Sequence, residues 1–151
     1  MREPSRLAIG SAIAVAVSAL VFAGCASRPE VTFVADGAAR SYAQVEAAAR
    51  SVDLAPVAGI TVEDAPDVRT DVLVYLRGRG AEGDRAASLL TKGFPTRTAA
   101  VPVHVEVARI DGVRSLIAVE AFGDASGDLR HRRLWVFDYA TGELLHSAAF
   151  R

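Results

Sequence analysis

The sequence predicts an α+β domain, a two-layer sandwich in which helices lie on one face of a mixed sheet. Residues 101–150 alternate between apolar and polar side chains around two turn signals, which is typical of antiparallel strands. Residues 31–92 instead mix short extended runs with segments of helical spacing. The predicted order is therefore β-α-β-α followed by a four-stranded antiparallel meander, with a right-handed parallel crossover in the first β-α-β unit.

The first strand and the first helix are predicted from local signals. Residues 31–36, VTFVAD, are rich in strand-forming side chains and stop at Gly37. Residues 41–52 should be helical, because Ser41 and Gln44 form the S-x-x-Q pattern of a capping box. Apolar residues then recur at helical spacing, so one side of the helix should be buried. These are Tyr42, Val45, Ala49 and Val52.

A central strand and a second helix are expected next. Residues 71–77, DVLVYLR, are apolar on both faces, which favours a strand buried on both sides. After a glycine-rich turn, a helix is predicted over residues 84–92 with Asp84 as its N-cap. Gly93 in a left-handed conformation should end that helix.

Two hairpins complete the predicted sheet. Asp111-Gly112 is the two-residue turn signal between alternating strands, and it pairs Ile110 with Val113. Residues 129–139 should then meet residues 143–150 across a turn that contains Gly142. The first turn sets the cross-strand pairs Val107 with Leu116, Val105 with Ala118, and Val103 with Glu120.

The N-terminal segment has the features of a secretory signal peptide. Residues 1–6 carry two arginines and a glutamate, and residues 7–21 are uncharged. The small residues Ala23 and Gly24 close the segment, as expected before a cleavage site. The apolar run is also long enough to cross a bilayer, so an uncleaved N-terminal membrane helix remains the alternative.

Residues 21–25, VFAGC, resemble the lipobox of bacterial lipoprotein precursors. The resemblance implies a diacylglycerol thioether on Cys25, cleavage before it, and acyl chains such as palmitate in the membrane. The chain would then comprise a signal peptide at 1–24, a lipidated cysteine and tether at 25–30, and one domain at 31–151. We expect a lipid-anchored protein of the cell membrane or outer membrane that faces away from the cytoplasm.

Composition narrows the class of partner. After removal of residues 1–24 the chain has 15 basic and 17 acidic residues, a net charge of −2 with neutral histidines. A nucleic-acid-binding protein would carry a strong basic surface, so no nucleic-acid partner is expected. Cys25 is the sole cysteine, so no intrachain disulfide is available and the core must stabilise the domain.

The glycine-rich turn matches a nucleotide-binding pattern, but its surroundings do not. Gly78, Gly80 and Gly83 fit G-x-G-x-x-G. A dinucleotide site also needs a following parallel strand and an acidic residue about 20 positions on, and neither is evident here. We therefore predict no bound cofactor.

The sequence contains no strong catalytic or metal-binding pattern. The three histidines have no two-ligand spacing, no G-x-S-x-G motif is present, and Glu63, Asp64 and Asp67 lack the alternation of a calcium loop. His104 and Glu106 share one face of a strand, but the pattern favours an ordinary half-exposed face over a functional pair. No catalytic or metal-ligating residue is predicted, and an enzyme is the least favoured reading.

A basic run is the one candidate interaction surface. It consists of Arg130, His131, Arg132 and Arg133. These residues would contact anionic headgroups, start a solvated strand, or protect an edge strand by charge. Trp135, Phe137 and Tyr139 follow on one strand face and are expected in the core.

The leading hypothesis is a non-catalytic interaction module of the cell envelope. Its partners would be membrane lipid through Cys25 and another envelope protein. A module that binds a small ligand between helices and sheet is the alternative. An apolar pocket with convergent polar groups would favour that alternative, and an exposed patch would favour the interaction module.

Overall fold

A computed structural model describes residues 30–94, 98–125 and 127–151 of the chain. The predictions for the signal peptide, for Cys25 and for the tether before Glu30 lie outside the described residues. Within them, one open sheet carries three α-helices and a short 3₁₀ helix.

The predicted α+β class with a mixed sheet is confirmed. The strands are β1 (Thr32–Val34), β2 (Ala39–Arg40), β3 (Ala100–Ile110), β4 (Val113–Gly123), β5 (Leu129–Asp138) and β6 (Leu144–Phe150). The helices are α1 (Tyr42–Ser51), α2 (Ala65–Arg77) and α3 (Gly80–Gly93), with the 3₁₀ turn at Ala55–Val57. The sheet order is β1-β3-β4-β5-β6, and β2 also pairs with β3. β1 and β2 run parallel to β3, and the other neighbours are antiparallel.

The local signals at α1 and at both hairpin turns are confirmed. Ser41 and Gln44 form the reciprocal capping box that starts α1. Asp111 and Gly112 both have positive φ, 50° and 84°, as a two-residue hairpin turn requires. Gly142 has φ 80° at the second turn. These short patterns were reliable because each fixes its own backbone.

The strand predicted at residues 71–77 is wrong, because this segment is the C-terminal part of α2. Pro66 lies in the first turn of α2, where its missing N–H costs no hydrogen bond. Val72, Leu73 and Leu76 are buried at helical spacing, whereas Val74 and Tyr75 are exposed. The predicted β-α-β crossover through this segment is therefore absent, and β1 takes β3 as its parallel neighbour.

The start of α3 also differs from the prediction. Asp84 lies inside the helix, which begins at Gly80 with Arg79 as the N-cap residue. Gly83 faces α2 so closely that a Cβ there would lie 2.1 Å from the carbonyl oxygen of Leu76. The glycine thus permits helix–helix contact, which a local turn signal does not reveal. Gly93 is the last helical residue and lacks the predicted left-handed conformation.

The register of β3 and β4 follows the prediction over most of its length. Val107 pairs with Leu116 and Val105 with Ala118. A bulge then shifts the pairing, so that Glu120 lies opposite Pro102 and the predicted Val103–Glu120 pair is wrong. Pro102 lacks an amide hydrogen for the ladder, which makes a bulge at this position understandable.

The helices lie on both faces of the sheet, whereas the sequence analysis predicts all of them on one face. Ile117 and Val119 of β4 face α1, and Glu120, one residue further, points to the opposite face and meets Arg69 of α2. Both faces of β3 and β4 are apolar and buried, so each needs a helical cover. This is the physical reason that one helical layer was insufficient.

Candidate functional site

The pocket between α1 and the sheet, called the α1 pocket below, is the best candidate site among the described residues. Its cavity has a volume of about 240 Å³. The polar lining groups are Arg40, Ser51, His104 and Glu106. The apolar lining residues are Val45, Ala48, Ala49, Val52, Ile117 and Val119.

Glu106 stands at the centre of the polar groups in the α1 pocket. Its Oε1 accepts a hydrogen bond from Nε of Arg40 at 3.0 Å. Its Oε2 lies 3.4 Å from Nε2 of His104, and this nitrogen must be the donor because a carboxylate only accepts. The side chain of Glu106 is 8% exposed, against 41% for Arg40 and 24% for His104. Arg40 therefore lies at the mouth and Glu106 beneath it.

These contacts favour the ionised form of Glu106. The hydrogen bond from His104 is the main cause that lowers the pKa of the Glu106 carboxyl below its ordinary value. Burial opposes this effect, and the hydrogen bond and positive charge of Arg40 reinforce it. The pocket consequently holds a buried, compensated negative charge rather than a neutral acid.

Strand pairing places three of the four polar groups, all except Ser51 on α1. His104 and Glu106 lie two residues apart on β3, so they share a sheet face, and their neighbours on β4 are Val119 and Ile117, as the sequence predicted. Arg40 is held by the pairing of β2 with Ile110, immediately before the N-cap of α1. The sequence pattern indicated His104 and Glu106 but not Arg40, because only the pairing of β2 with β3 brings Arg40 close to Glu106.

A second cavity adjoins the α1 pocket. It has a volume of about 400 Å³ and shares Val52 and His104 with the α1 pocket. Its own polar lining includes Glu30 and Asp53, and Tyr75 of α2 contributes an aromatic wall. His104 therefore lines both cavities: the α1 pocket, which has Arg40 at its mouth, and the second cavity, which has Glu30 and Asp53 in its lining.

The α1 pocket contains the residue types of a hydrolytic triad without its connections. Ser51, His104 and Glu106 all line it. The Ser51 hydroxyl donates to the carbonyl of Ala48 at 2.9 Å, and no hydrogen bond within the described part of the chain joins it to His104. A triad needs the nucleophile to contact its base. In this geometry the Ser51 hydroxyl is bonded to the backbone of its own helix.

The predicted basic run occupies β5, an interior strand, so its reading as a protected edge strand is wrong. Arg132 donates from Nε to the carbonyl oxygen of Val52 at 2.7 Å, which ties the C-terminal end of α1 to the sheet. Arg133 stacks over Phe122, and the ring of His131 lies 5.4 Å from the same ring. Arg130 is exposed and pairs with Asp128.

The aromatic stripe on β5 belongs to the core, as predicted. Phe137 is buried, and Trp135 and Tyr139 pack against the buried cluster. Phe94, just after α3, packs on Trp135 with ring centroids 4.8 Å apart.

The sequence missed a buried ion pair beneath α2. Arg69 of α2 is hydrogen-bonded to Glu120 of β4, and both side chains are almost fully buried. Glu120 also accepts from Nε1 of Trp135 at 2.9 Å, and Arg69 donates to the carbonyl of Ala100 at 3.1 Å. A charged residue inside the apolar run LIAVEAF was the available signal. Its partner could not be found while α2 was interpreted as a strand.

The remaining candidate motifs do not converge on a site. Gly78, Gly80 and Gly83 lie where α2 ends and α3 begins, not where a strand leads into a helix: Gly78 is the C-cap residue of α2, and Gly80 and Gly83 belong to α3. Glu63 and Asp64 are exposed before α2, and Asp67 is exposed in its first turn. In residues 30–94, 98–125 and 127–151, no group of three potential metal-ligating side chains comes together.

None of the helices in the described part of the chain has both the length and the apolar character needed to cross a membrane. Comparisons with protein-family models, curated proteins and solved structures found no significant match to this chain. The site is therefore interpreted from its own chemistry.

Proposed function

We propose that this chain is a lipid-anchored protein of the cell envelope whose domain binds a small ligand in the α1 pocket. The anchor is supported by the lipobox-like residues 21–25 at the end of an apolar segment. The ligand-binding role is supported by one observation, the convergence of Arg40, His104 and Glu106 at a pocket whose other lining residues, apart from Ser51, are apolar. Small-molecule sites combine an apolar wall with a few convergent polar groups in this way.

The proposed anchor would hold the pocket close to the bilayer. Cys25 precedes Glu30 by five residues, which span at most about 17 Å when fully extended. Glu30 lines the cavity that adjoins the α1 pocket. A diacylglyceryl group supplies two chains, which stable anchoring requires.

Metabolic labelling with a fatty-acid analogue tests the anchor. We expect the label on the wild-type chain and on a Ser27→Ala control, and no label on Cys25→Ser. The wild-type protein should also partition into the detergent phase after solubilisation. Label that persists on Cys25→Ser would contradict lipidation at this residue, and an unlabelled wild-type chain in the membrane would favour the uncleaved helix.

Titration with hexanol tests ligand binding, because this neutral probe asks only whether the α1 pocket accepts an apolar body. The measured quantity is the NMR chemical shift of the Ile117 methyl signal, because Ile117 lies in the pocket wall. Ala48 is exposed and lines the pocket, so Ala48→Phe should block it. Ala47 is exposed on the same helix but does not line the pocket, so Ala47→Phe is the matched control. A saturable shift of the Ile117 methyl signal in the wild type and in the control that is lost in Ala48→Phe supports the role, and a shift that persists unchanged in Ala48→Phe contradicts it.

Protein interaction is the second candidate function, and the outer face of α2 favours it. Val74 is 59% exposed and Tyr75 is 46% exposed, at consecutive positions of this helix. Pull-down from solubilised envelope, compared between wild type and a Val74→Ser, Tyr75→Ser double variant, tests this role. Loss of one stoichiometric partner in the variant is the expected result, and an unchanged set of captured proteins would contradict it.

A further inference from the structure

We propose that the ligand of the α1 pocket is a small monocarboxylate with an apolar body, held through its carboxylate by Arg40. This inference rests on the ligand-binding function proposed above and adds the chemical class of the ligand. It depends on the size of the pocket, on the nature of its walls and on the hydrogen-bonding capacity that Glu106 leaves on Arg40.

The size of the cavity sets the size of the ligand. A cavity of about 150 Å³ in an engineered protein accepts benzene, so one of about 240 Å³ suits an apolar body of roughly six to ten carbons. Val45, Ile117 and Val119 supply the apolar wall. Transfer of a short hydrocarbon from water to such a wall is favourable.

Arg40 can bind a second carboxylate. A guanidinium has five N–H donors in a planar fork, and Glu106 uses the one on Nε. Within the described residues, no other acceptor is bonded to Arg40, and its side chain is 41% exposed at the pocket mouth. The two terminal nitrogens together match the two oxygens of a carboxylate.

The same geometry disfavours a cationic ligand. Each oxygen of Glu106 already accepts from a neighbour, one from Arg40 and the other from His104. The Glu106 side chain is only 8% exposed, so an ammonium group would have to displace Arg40 to reach it. The compensated charge of Glu106 also reduces its repulsion of a ligand carboxylate.

Titration of the full-length chain in lipid nanodiscs with hexanoate, hexanol and hexylamine tests this assignment. The Ile117 methyl group reports binding, and empty nanodiscs correct for partition of each probe into lipid. We expect hexanoate to bind about tenfold or more tightly than hexanol, because the carboxylate adds charge-assisted hydrogen bonds. Hexylamine should bind more weakly than either.

Two substitutions at Arg40 and one control locate the effect. Arg40→Met should abolish the preference for hexanoate over hexanol. Arg40→Lys keeps a positive charge for Glu106 but lacks the planar fork, so it should fold like wild type and lose most of the preference. Arg109 is an exposed arginine on β3 that bonds to the Gly112 carbonyl, and Arg109→Met should leave the preference intact.

The outcomes distinguish failure of the carboxylate assignment from failure of the ligand-binding function. Equal affinities for hexanoate and hexanol in the wild type, or a preference that survives in Arg40→Met, would overturn the carboxylate assignment. Hexanol binding without hexanoate binding would overturn it too, and would leave the ligand-binding function standing. If none of the three probes shifts the Ile117 methyl group, both the assignment and the ligand-binding function are wrong.

Discussion

Removal of one charge from the Arg69–Glu120 pair should destabilise the domain far more than removal of both. In Glu120→Gln the amide oxygen still accepts from Trp135, but Arg69 keeps its charge in a site where its side chain is 5% exposed. Arg69→Met leaves the fully buried Glu120 carboxylate without its cation. The double variant contains neither charge and retains the acceptor for Trp135.

The burial of the pair sets the magnitude. Exposed ion pairs contribute about 0–1 kcal/mol, but loss of one partner from a buried pair costs about 3–5 kcal/mol. With Glu120 at 0% exposure, the larger range applies to both single variants. A buried pair replaced by uncharged groups of similar volume is often close to neutral, so the double variant should lie within about 2 kcal/mol of wild type. Because the two single losses together are at least about 6 kcal/mol and the double loss is at most about 2 kcal/mol, the coupling energy should be about 4 kcal/mol or more.

Urea unfolding of a chain that begins at Ala26 measures these values. For a small domain the unfolding free energy falls by about 1–3 kcal/mol per molar urea, so each single variant should lower the midpoint by at least about 1 M. The double variant should recover most of that loss. If the effects of the two single substitutions simply add in the double variant, Arg69 and Glu120 do not act as a pair, and the reasoning from burial fails.

Three further substitutions test the backbone and the α1 pocket. Gly112→Val should lower the unfolding free energy by at least about 1 kcal/mol in urea, because φ at this position is 84°, which strains a β-branched residue. An added Cβ would meet no atom within 4 Å, so a steric clash would not explain the loss, and unchanged stability would contradict the prediction. Gly83→Ala should destabilise by about 1–3 kcal/mol, since the clash with the Leu76 carbonyl outweighs the helix propensity of alanine, and a more stable variant would show that α2 and α3 can separate. The lowered pKa of Glu106 means that its charge stabilises the fold above the ordinary value of 4.5, and that this contribution disappears as the pH falls through the lower folded value. The stability difference between wild type and Glu106→Gln should therefore narrow below pH 4.5, and a constant difference down to pH 3 would refute it.

The candidate site was only partly accessible to sequence reasoning. His104 and Glu106 are two residues apart on one strand, so their common face follows from the period of a strand. Arg40 lies 66 positions before Glu106, and the contact depends on the parallel pairing of β2 with β3. No local pattern encodes that pairing, because β2 has only two residues.

The sequence by itself determined the features that depend on neighbouring residues. The capping box at Ser41 and the positive-φ turn at Asp111-Gly112 each satisfy their own backbone within a few positions. Strand alternation likewise fixed most of the register between β3 and β4.

Tertiary structure decided the features in which distant segments compete for the same space. Residues 71–77 are apolar enough for a buried strand, but α2 buries Val72 and Leu76 and leaves Val74 exposed, a choice that depends on the sheet face beneath it. The same packing gives Arg69 and Glu120 their shared burial and sends α1 to the opposite face. An apolar run specifies that a segment is buried, whereas the surface that buries it decides between strand and helix.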